Sequence, residues 1–390
     1  MISKYINQAM EQSSWIRRMF EVGKEMKVNL GAENVFDLSL GNPILEPPPE
    51  FFRVFQKIAT NTSSGKHRYM SNAGFEDVRE KVALYLRQKH YLNDVEMKHV
   101  IMSCGAGGAI NVILKTIIDP NDEVVVMAPY FSEYIFYVHN QHGKVVIAET
   151  DDRFNLDLHE LERKITPRTK ALIINSPHNP TGKVYDKNTL MDLVMLLKDR
   201  QNKYQKEIYV ISDEPYREIV FDGINVTSIV SLFENSFMAY SWSKSLAVPG
   251  ERIGYIAVNP QMHDANKVLD GLIFSTRILG FINATAIMQL AVSELLHATV
   301  KVSYYEVKRD YIYQRLADAG YEIVKPEGTF YMFPKVPGGD DLAFIHKAKE
   351  KRVLVVPGVG FGRAGFFRIS FCVDDRTIER GLDHLIEIVK

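Results

Sequence analysis

The sequence predicts an α/β protein with a mostly parallel sheet, helices on both faces of that sheet, and a second, smaller α+β domain. Between residues 98 and 258, short apolar runs rich in β-branched residues alternate with amphipathic stretches. Such alternation is typical of buried parallel strands and the helices that cover them. Beyond residue 285 the alternation stops, and a helical stretch leads into short strand-like segments.

The strands of the large sheet are predicted from six apolar runs. The runs are 99–102, 123–127, 171–174, 208–211, 237–240 and 253–258. Helices are predicted between them, for example over 109–118 and 188–198. In a sheet of this type, ligands bind beyond the carboxyl ends of the strands.

Chemically active residues follow five of these runs. The small residues at 105–108 follow the first run, Tyr130 the second, Asn179 the third, residues 213–216 the fourth, and residues 241–244 the fifth. Because parallel strands end at one edge of a sheet, we expect these groups to lie close together.

The smaller domain is predicted from the C-terminal part of the chain. A helical stretch over 284–315 precedes strand-like segments at 329–333 and 366–371. We expect the N-terminal residues to return to this part. The predicted division is a large domain at residues 46–284 and a small domain at residues 1–45 and 285–390.

The composition excludes several function classes. The 390 residues are 46% hydrophobic and 24% charged, with a formal net charge of -1, which gives no electrostatic basis for binding nucleic acid or an anionic membrane. No apolar stretch approaches the ~20 residues of a membrane span, and the N-terminus lacks the apolar core of a signal peptide. Cys104 and Cys372 match no metal-ligand spacing. Since low cysteine use fits a reducing compartment, we expect a cytoplasmic protein without a metal site.

The most informative motif is Ser-Trp-Ser-Lys at 241–244, followed by Arg252. A strand that ends in hydroxyls, a lysine and then an arginine can bring an amine and a phosphate-binding cluster together. Pyridoxal 5′-phosphate (PLP) needs both, because its aldehyde is held as a Schiff base and its phosphate is anchored separately. Taken alone, the segment could also be a polar loop after a strand.

Further motifs occur in a fixed order around this one. They are Leu-Gly-Asn-Pro at 40–43, Asn-Pro-Thr-Gly at 179–182, and Ser-Asp-Glu-Pro-Tyr at 212–216. With them, the chain resembles the fold-type I PLP-dependent aminotransferases of the aspartate aminotransferase superfamily, over nearly its whole length. The resemblance implies a seven-stranded sheet and a ping-pong transfer of an amino group between an L-amino acid and a 2-oxo acid.

The resemblance assigns the chemistry to individual residues. Lys244 would hold the cofactor covalently and then move the proton at the substrate Cα. Asp213 would pair with the pyridine nitrogen and keep it protonated, which makes the ring an electron sink. Tyr216 and Asn179 would donate to the phenolic oxygen, and Tyr130 would stack on the pyridine ring. Asp213 could instead cap a helix, and Asn179 could only organise its turn.

The same resemblance predicts a phosphate site with three sources of positive potential. The backbone N–H groups of Ala106 and Gly107 would lie at a helix N-terminus, where an anion is favoured. Ser241 and Ser243 would add hydroxyls, and Arg252 a charged fork. Glycine-rich turns are common in other contexts, so the first of these signals is weak by itself.

Two further residues match the family by position. Tyr69 matches a tyrosine that reaches the phosphate of the neighbouring subunit, which implies a homodimer. Arg368, placed in an apolar strand pattern, matches the arginine that binds the substrate α-carboxylate, with the Gly41 backbone nearby. An arginine in such a strand needs a partner, and a carboxylate would be one. We also include Asn179 among the substrate-binding residues.

The sequence leaves the substrate side chain open. Some dicarboxylate-specific relatives place a lysine where this chain has Gly107. Arg277 lies near the region from which other relatives supply an arginine across the dimer interface, but it could be a surface residue. Ile44 and Leu45, together with the two tyrosines named above, would equally frame an apolar or aromatic pocket.

Three other functions compete with transamination. A PLP-dependent carbon–sulfur β-lyase needs the same cofactor residues, so the sequence does not separate the two reactions. A PLP-binding regulator would carry a DNA-binding domain, which we do not expect here. A nucleotide-dependent oxidoreductase is disfavoured because residues 105–108 lack the G-x-G-x-x-G spacing.

Overall fold

The computed structural model describes residues 2–11 and 15–389. The strands in chain order are β1 (Phe36–Asp37), β2 (Val100–Ser103), β3 (Glu123–Ala128), β4 (Lys144–Glu149), β5 (Thr169–Asn175), β6 (Tyr209–Asp213), β7 (Ser236–Ser241), β8 (Gly254–Val258), β9 (Tyr331–Met332), β10 (Val353–Leu354), β11 (Val356–Pro357) and β12 (Phe367–Ser370). The helices are α1 (Lys4–Glu11), α2 (Trp15–Leu30), α3 (Pro49–Thr60), α4 (Glu76–Gln88), α5 (Gly105–Ile117), α6 (Glu133–His139), α7 (Leu158–Lys164), α8 (Lys187–Tyr204), α9 (Trp242–Ser245), α10 (Ala265–Ile278), α11 (Ala286–Ser293), α12 (Val302–Asp318), α13 (Asp341–Glu350) and α14 (Asp375–Val389).

The largest sheet has seven strands in the order β2-β8-β7-β6-β5-β3-β4. Strand β8 runs antiparallel to both of its neighbours, and the remaining neighbours pair in parallel. The predicted α/β fold with a mostly parallel sheet is therefore confirmed. The strand that the apolar runs did not reveal is β4, which lies at the edge of the sheet and is only partly buried.

Both faces of this sheet are buried. Along β3, Val124 and Val126 join one hydrophobic cluster, whereas Val125 and Met127 join another. Successive side chains of a strand point to opposite faces, so the two clusters lie on opposite sides of the sheet. Burial on both faces explains why these strands read as continuous apolar runs rather than as alternating ones.

Two helix boundaries differ from the predicted ones. Helix α5 begins at Gly105, four residues before the predicted start at 109. Ala106 and Gly107 were expected at a helix N-terminus, and the structure has them in the first turn of α5. The predicted helix over 284–315 is two helices, α11 and α12, separated by residues 294–301.

The C-terminal part contains a three-stranded antiparallel sheet in the order β11-β12-β9. Strand β1 pairs in parallel with β10, so the N-terminal segment does join this part. A hydrophobic cluster unites Phe36 and Leu38 with residues such as Phe330 and Leu385, and it also includes Tyr216. Because that cluster crosses the predicted border, the division at residues 46–284 stays a prediction. Within the described ranges, no helix combines the length and the apolar character needed to cross a membrane.

Candidate active site

A cavity of about 300 Å³ lies at the carboxyl ends of β5, β6 and β7. It is also bordered by the first turn of α5 and by residues of β9 and β12. The residues around it are Gly41, Ala106, Gly107, Ile110, Phe131, Tyr137, Asn175, Asn179, Asp213, Pro215, Tyr216, Ser241, Ser243, Lys244, Pro249, Arg252, Tyr331 and Arg368. Most of the residues predicted from the sequence are therefore brought together here.

Lys244 lies in the short helix α9, directly after β7. Its Nζ donates to the Gly41 carbonyl oxygen at 2.9 Å and lies 5.4 Å from the centre of the Phe330 ring. Burial, with smaller contributions from the positive charges of Arg368 and Arg252, lowers the pKa of Lys244 to about 8, and Cys372 opposes this shift. A lysine with such a pKa has an appreciable neutral fraction near pH 7, and only the neutral amine attacks an aldehyde.

Asp213 is the last residue of β6, and its side chain is buried. Its Oδ2 accepts a hydrogen bond from the Tyr134 hydroxyl at 2.5 Å, whereas Oδ1 has no partner within the described structure. Burial raises the pKa of Asp213 to about 7, and the Tyr134 hydrogen bond opposes that rise. Because a buried polar atom is costly without a partner, the free oxygen is the atom to which a ligand can donate.

The N-terminus of α5 and three side chains form one end of the cavity. Ala106 and Gly107 lie in the first turn of this helix, where backbone N–H groups lack intrahelical acceptors. The Ser241 and Ser243 hydroxyls lie 2.6 Å apart. Gly105 has a φ of +75°, and a Cβ there would lie 2.8 Å from Nη2 of Arg252, so glycine is required. This corner combines donors and positive charge in a way that suits a phosphate group.

Arg368 lies in β12 and is only 1% exposed. Its guanidinium donates to Oδ1 of Asn179 at 3.1 Å and to the Ser39 carbonyl oxygen at 2.7 Å. Nε has no hydrogen-bond partner among the described residues. No carboxylate of the described chain forms an ion pair with Arg368. The guanidinium can therefore bind a carboxylate from outside the chain.

Two tyrosines connect the opposite sides of the cavity. The Tyr216 hydroxyl lies 3.1 Å from the Tyr331 hydroxyl, and both side chains are buried. Burial raises the pKa of both hydroxyls above the usual value, so both keep their protons at neutral pH. Each of them can therefore donate a hydrogen bond.

The structure does not bring Tyr130 into the cavity. The backbone N–H of Tyr130 donates to the Phe361 carbonyl oxygen at 2.9 Å, and its ring lies so close to Gly362 that a Cβ there would be 2.4 Å from Cε1. The next residue, Phe131, contributes an aromatic ring to the cavity instead. Which of these two neighbouring rings faces the cavity could not be read from the sequence, because a residue that follows a strand in a turn has no fixed alternation.

Tyr69 and Arg277 also lie outside the cavity of this chain. Tyr69 is 90% exposed, and the exposed Arg277 packs over the ring of Phe274 at 5.0 Å. Both were predicted to act across a subunit interface, and a single chain does not test that prediction.

Comparison with known proteins agrees with this geometry. The sequence model described as aminotransferase class I and II matches residues 33–385. The chain belongs to this aminotransferase family.

Similar proteins include the probable aspartate aminotransferase of Methanocaldococcus jannaschii, which is 32% identical over 92% of this chain and 95% of its own length. Aromatic-amino-acid aminotransferase 2 of Thermococcus litoralis is 30% identical over 98% of this chain and 97% of its own. Among solved structures, an aminotransferase from Eubacterium rectale has a TM-score of 0.95 and 35% identity, covering 100% of this chain and 98% of that one. These matches support transamination over the lyase alternative.

Membership of the aminotransferase family implies PLP as the cofactor, and the residues of the cavity fit that group. The free Oδ1 of Asp213 suits the protonated pyridine nitrogen. Lys244 supplies an amine that is easily deprotonated, and the corner at Gly105 and Arg252 leaves room for a phosphate because no Cβ fills it. The aminotransferase chain thus has a matching partner for the aldehyde, the ring nitrogen and the phosphate.

Sequence reasoning missed several aromatic residues of the aminotransferase site. Phe131 precedes α6, and Tyr134 and Tyr137 lie three residues apart within it, which places these two on one helix face. That spacing, directly after a strand end, was a usable signal. Tyr331 carried no comparable signal, because it lies in the apolar run 330–333 and each of these residues could have been core.

Proposed function

We propose that this aminotransferase binds PLP through Lys244 and exchanges the amino group of an L-amino acid with a 2-oxo acid in two half-reactions. One observation carries the proposal. A lysine with a lowered pKa, a carboxylate with one free oxygen and an arginine with a free Nε border the same cavity without pairing with one another. Their separate orientation supports a ligand that has three different groups to bind.

The residues of the chain would divide the reaction as follows. When bound, PLP would supply an electron sink for the electrons left at the substrate Cα. Lys244 would hold the cofactor and then, as general base and acid, move the proton at Cα. Asp213 would keep the ring nitrogen protonated, while Asn179 and Tyr216 would donate to the phenolic oxygen.

The remaining residues would bind and orient the reactants. The α5 N-terminus, Ser241, Ser243 and Arg252 would hold the phosphate. Arg368 would hold the substrate α-carboxylate beside the backbone of Gly41. A planar guanidinium that already has two partners is pre-oriented, so less freedom is lost when a carboxylate binds.

A homodimer extends this proposal. The exposed Tyr69 would reach the phosphate in the neighbouring subunit, and Arg277 would reach a distal carboxylate across the same interface. Its exposed position on α10 supports such a reach. We place the enzyme in the cytoplasm on the basis of its low cysteine content, and we keep the two-domain division at residues 46–284 as part of the proposal.

The substrate class follows from which donor works. Relatives are named for aspartate and for aromatic amino acids, and both classes remain candidates. If Arg277 reaches the neighbouring cavity, dicarboxylic donors are expected. If it does not, the aromatic rings of Phe131, Tyr137 and Tyr331 favour an aromatic or apolar donor.

A visible absorption spectrum tests the proposal. The protein is loaded with PLP, and single amino acids are added without any oxo acid. We expect a visible band of the lysine-bound cofactor, and its conversion to the aminated form by at least one donor. A band that persists with every donor, together with pyruvate released from cysteine, would establish the lyase instead. A protein that binds no PLP would overturn the whole proposal.

A further inference from the structure

Tyr331 lies between two groups that the proposed function uses separately. Its hydroxyl is 3.1 Å from the Tyr216 hydroxyl, and its ring centre is 4.3 Å from the Cζ atom of Arg368. Tyr216 lies beyond β6 of the large sheet, whereas Arg368 lies in β12 of the small one. The same side chain thus contacts the expected cofactor donor and the expected carboxylate-binding group.

The position of the Tyr331 ring is fixed from several sides. It belongs to a buried aromatic cluster in which Phe330 lies 5.0 Å away, and it is only 3% exposed. Gly41 leaves the space that the hydroxyl occupies, since a Cβ at that position would lie 1.7 Å from the Tyr331 oxygen. Any larger residue at position 41 would therefore displace Tyr331.

The ring constrains Arg368 in a way that hydrogen bonds alone do not. The guanidinium has Tyr331 at 4.3 Å and Phe361 at 4.9 Å. Contacts with aromatic faces stabilise a cation and restrict rotation of its plane. With both Nη atoms bound elsewhere, this orientation decides where the free Nε points.

The hydroxyl constrains Tyr216. In the structure the Tyr216 hydroxyl donates to the Tyr331 oxygen. A tyrosine hydroxyl rotates to suit its partners, so when a cofactor oxygen accepts the Tyr216 proton, the Tyr331 hydroxyl can turn and donate to the Tyr216 oxygen. Tyr216 would then direct its own proton toward the cavity. Hydrogen bonds in such a chain polarise one another, so Tyr216 becomes a stronger donor.

We propose that Tyr331 is a positioning residue with two separable functions, in which the ring orients Arg368 for the substrate carboxylate and the hydroxyl orients Tyr216 for the cofactor. The inference rests on the proposed function. It predicts that removing the hydroxyl and removing the ring have different consequences.

Two substitutions separate these functions. Tyr331→Phe keeps the ring and removes the hydroxyl, and Tyr331→Leu removes both. A matched control is Tyr321→Phe, which removes a buried hydroxyl bonded to the Leu385 carbonyl oxygen at 2.8 Å, outside the cavity. All three are loaded with PLP and compared with the wild type.

The first readout is the pH at which the visible band of the lysine-bound cofactor changes. A donor to the phenolic oxygen favours its ionised form, so a weaker donor raises this pH. We expect an upward shift of about 0.5–1 pH unit for both Tyr331 variants and no shift for Tyr321→Phe. An unchanged midpoint in Tyr331→Phe would show that the hydroxyl has no such role.

The second readout is the half-saturating concentration of the donor that converts the wild type fastest. We expect it to stay within about twofold in Tyr331→Phe and to rise at least about tenfold in Tyr331→Leu, because only the latter releases the guanidinium. Equal half-saturation in the two variants would overturn the role of the ring. A wild type without a visible band would instead disprove the proposed function, which distinguishes the two failures.

Discussion

Two neighbouring carboxylates, Asp213 and Glu214, are both buried, but their surroundings differ. Asp213 accepts one hydrogen bond, from Tyr134, and keeps a free oxygen at the cavity. Glu214 forms a buried ion pair with Arg217 and accepts hydrogen bonds from Ser212 at 2.5 Å and Ser228 at 2.7 Å. Consecutive residues at a strand end point to opposite faces, so one carboxylate faces the cavity and the other the core.

The contrast separates a ligand-binding charge from a structural one. A carboxylate in a core needs partners from its own chain, because an unpaired buried charge costs several kcal/mol. A carboxylate that binds a ligand must lack one of those partners when the ligand is absent. Its pKa then rises, because burial disfavours the charged form. Asp213 has both features, and for Glu214 the neighbouring cation Arg217 fills the partner role.

The largest effect on activity is expected at two lysines, of which one borders the cavity and the other forms an ion pair away from it. Lys244→Ala should lower transamination by several orders of magnitude, because it removes a covalent and an acid–base group. Lys308 is buried and is paired with Asp375 at 2.9 Å, outside the cavity. Lys308→Ala should lower stability and leave the turnover of the folded enzyme within about tenfold. Single-turnover kinetics of both variants test this, and activity of Lys244→Ala within tenfold of wild type would disprove the assignment.

The next largest effect is expected at the two carboxylates themselves. Asp213→Asn should slow the half-reaction by about 10²–10³-fold, the range found when a preorganised electrostatic partner is lost. Glu214→Gln should leave the rate of the folded fraction within about tenfold but reduce the free energy of unfolding by about 3–5 kcal/mol, because Arg217 loses its partner. Stopped-flow rates and urea denaturation measure the two quantities. If both substitutions affected rate and stability alike, the two carboxylates would not differ in function.

The position of Asp213 beside the cavity could be predicted from the sequence, whereas nothing in the sequence singled out Glu214. The Ser-Asp-Glu-Pro-Tyr segment at 212–216 identified Asp213 and Tyr216, and the apolar run before it predicted β6. The pairing of Glu214 with Arg217 matches a helical-turn spacing of three residues, but that spacing alone does not say that the pair is buried. The hydrogen bond from Tyr134 joins residues 79 positions apart, so only the fold reveals it.

One residue predicted for the site, Tyr130, does not border the cavity. Tyr130 follows a strand end in a turn, and Phe131 rather than Tyr130 reaches the cavity. The sequence shows that aromatic residues follow β3, because Tyr130 and Phe131 can be read directly after the apolar run. Which of two neighbouring rings faces the cavity depends on the backbone of the turn, which no periodicity describes.

A pH effect of intermediate size follows from the pKa of Asp213, which burial raises to about 7. Its value in the unfolded chain is about 3.9. Between these values the folded protein without cofactor holds a proton that the unfolded chain releases, so stability falls as pH rises. We expect a loss of just over 1 kcal/mol per pH unit between about pH 5 and pH 7 from this group.

Thermal or urea unfolding of the cofactor-free protein across this pH range measures the effect. The matched variant Asp213→Asn should lose this part of the pH dependence, because it has no proton to release. Bound PLP should suppress it as well, since a protonated ring nitrogen stabilises the carboxylate. Identical pH profiles for the wild type and Asp213→Asn would show that Asp213 is ionised throughout.

The smallest effect is expected from Tyr134, the single protein partner of the Asp213 side chain in the described structure. Tyr134→Phe removes a charge-assisted hydrogen bond, so the pKa of Asp213 should rise further and the affinity for PLP should fall by about tenfold. In an Asp213→Asn background the same substitution should cost clearly less, because a neutral amide accepts a weaker hydrogen bond. Fluorescence titration of the four cofactor-free proteins with PLP gives this coupling. An equal loss of PLP affinity in both backgrounds would mean that Tyr134 acts only by packing in α6. Its hydrogen bond to Asp213 would then make no contribution to PLP binding.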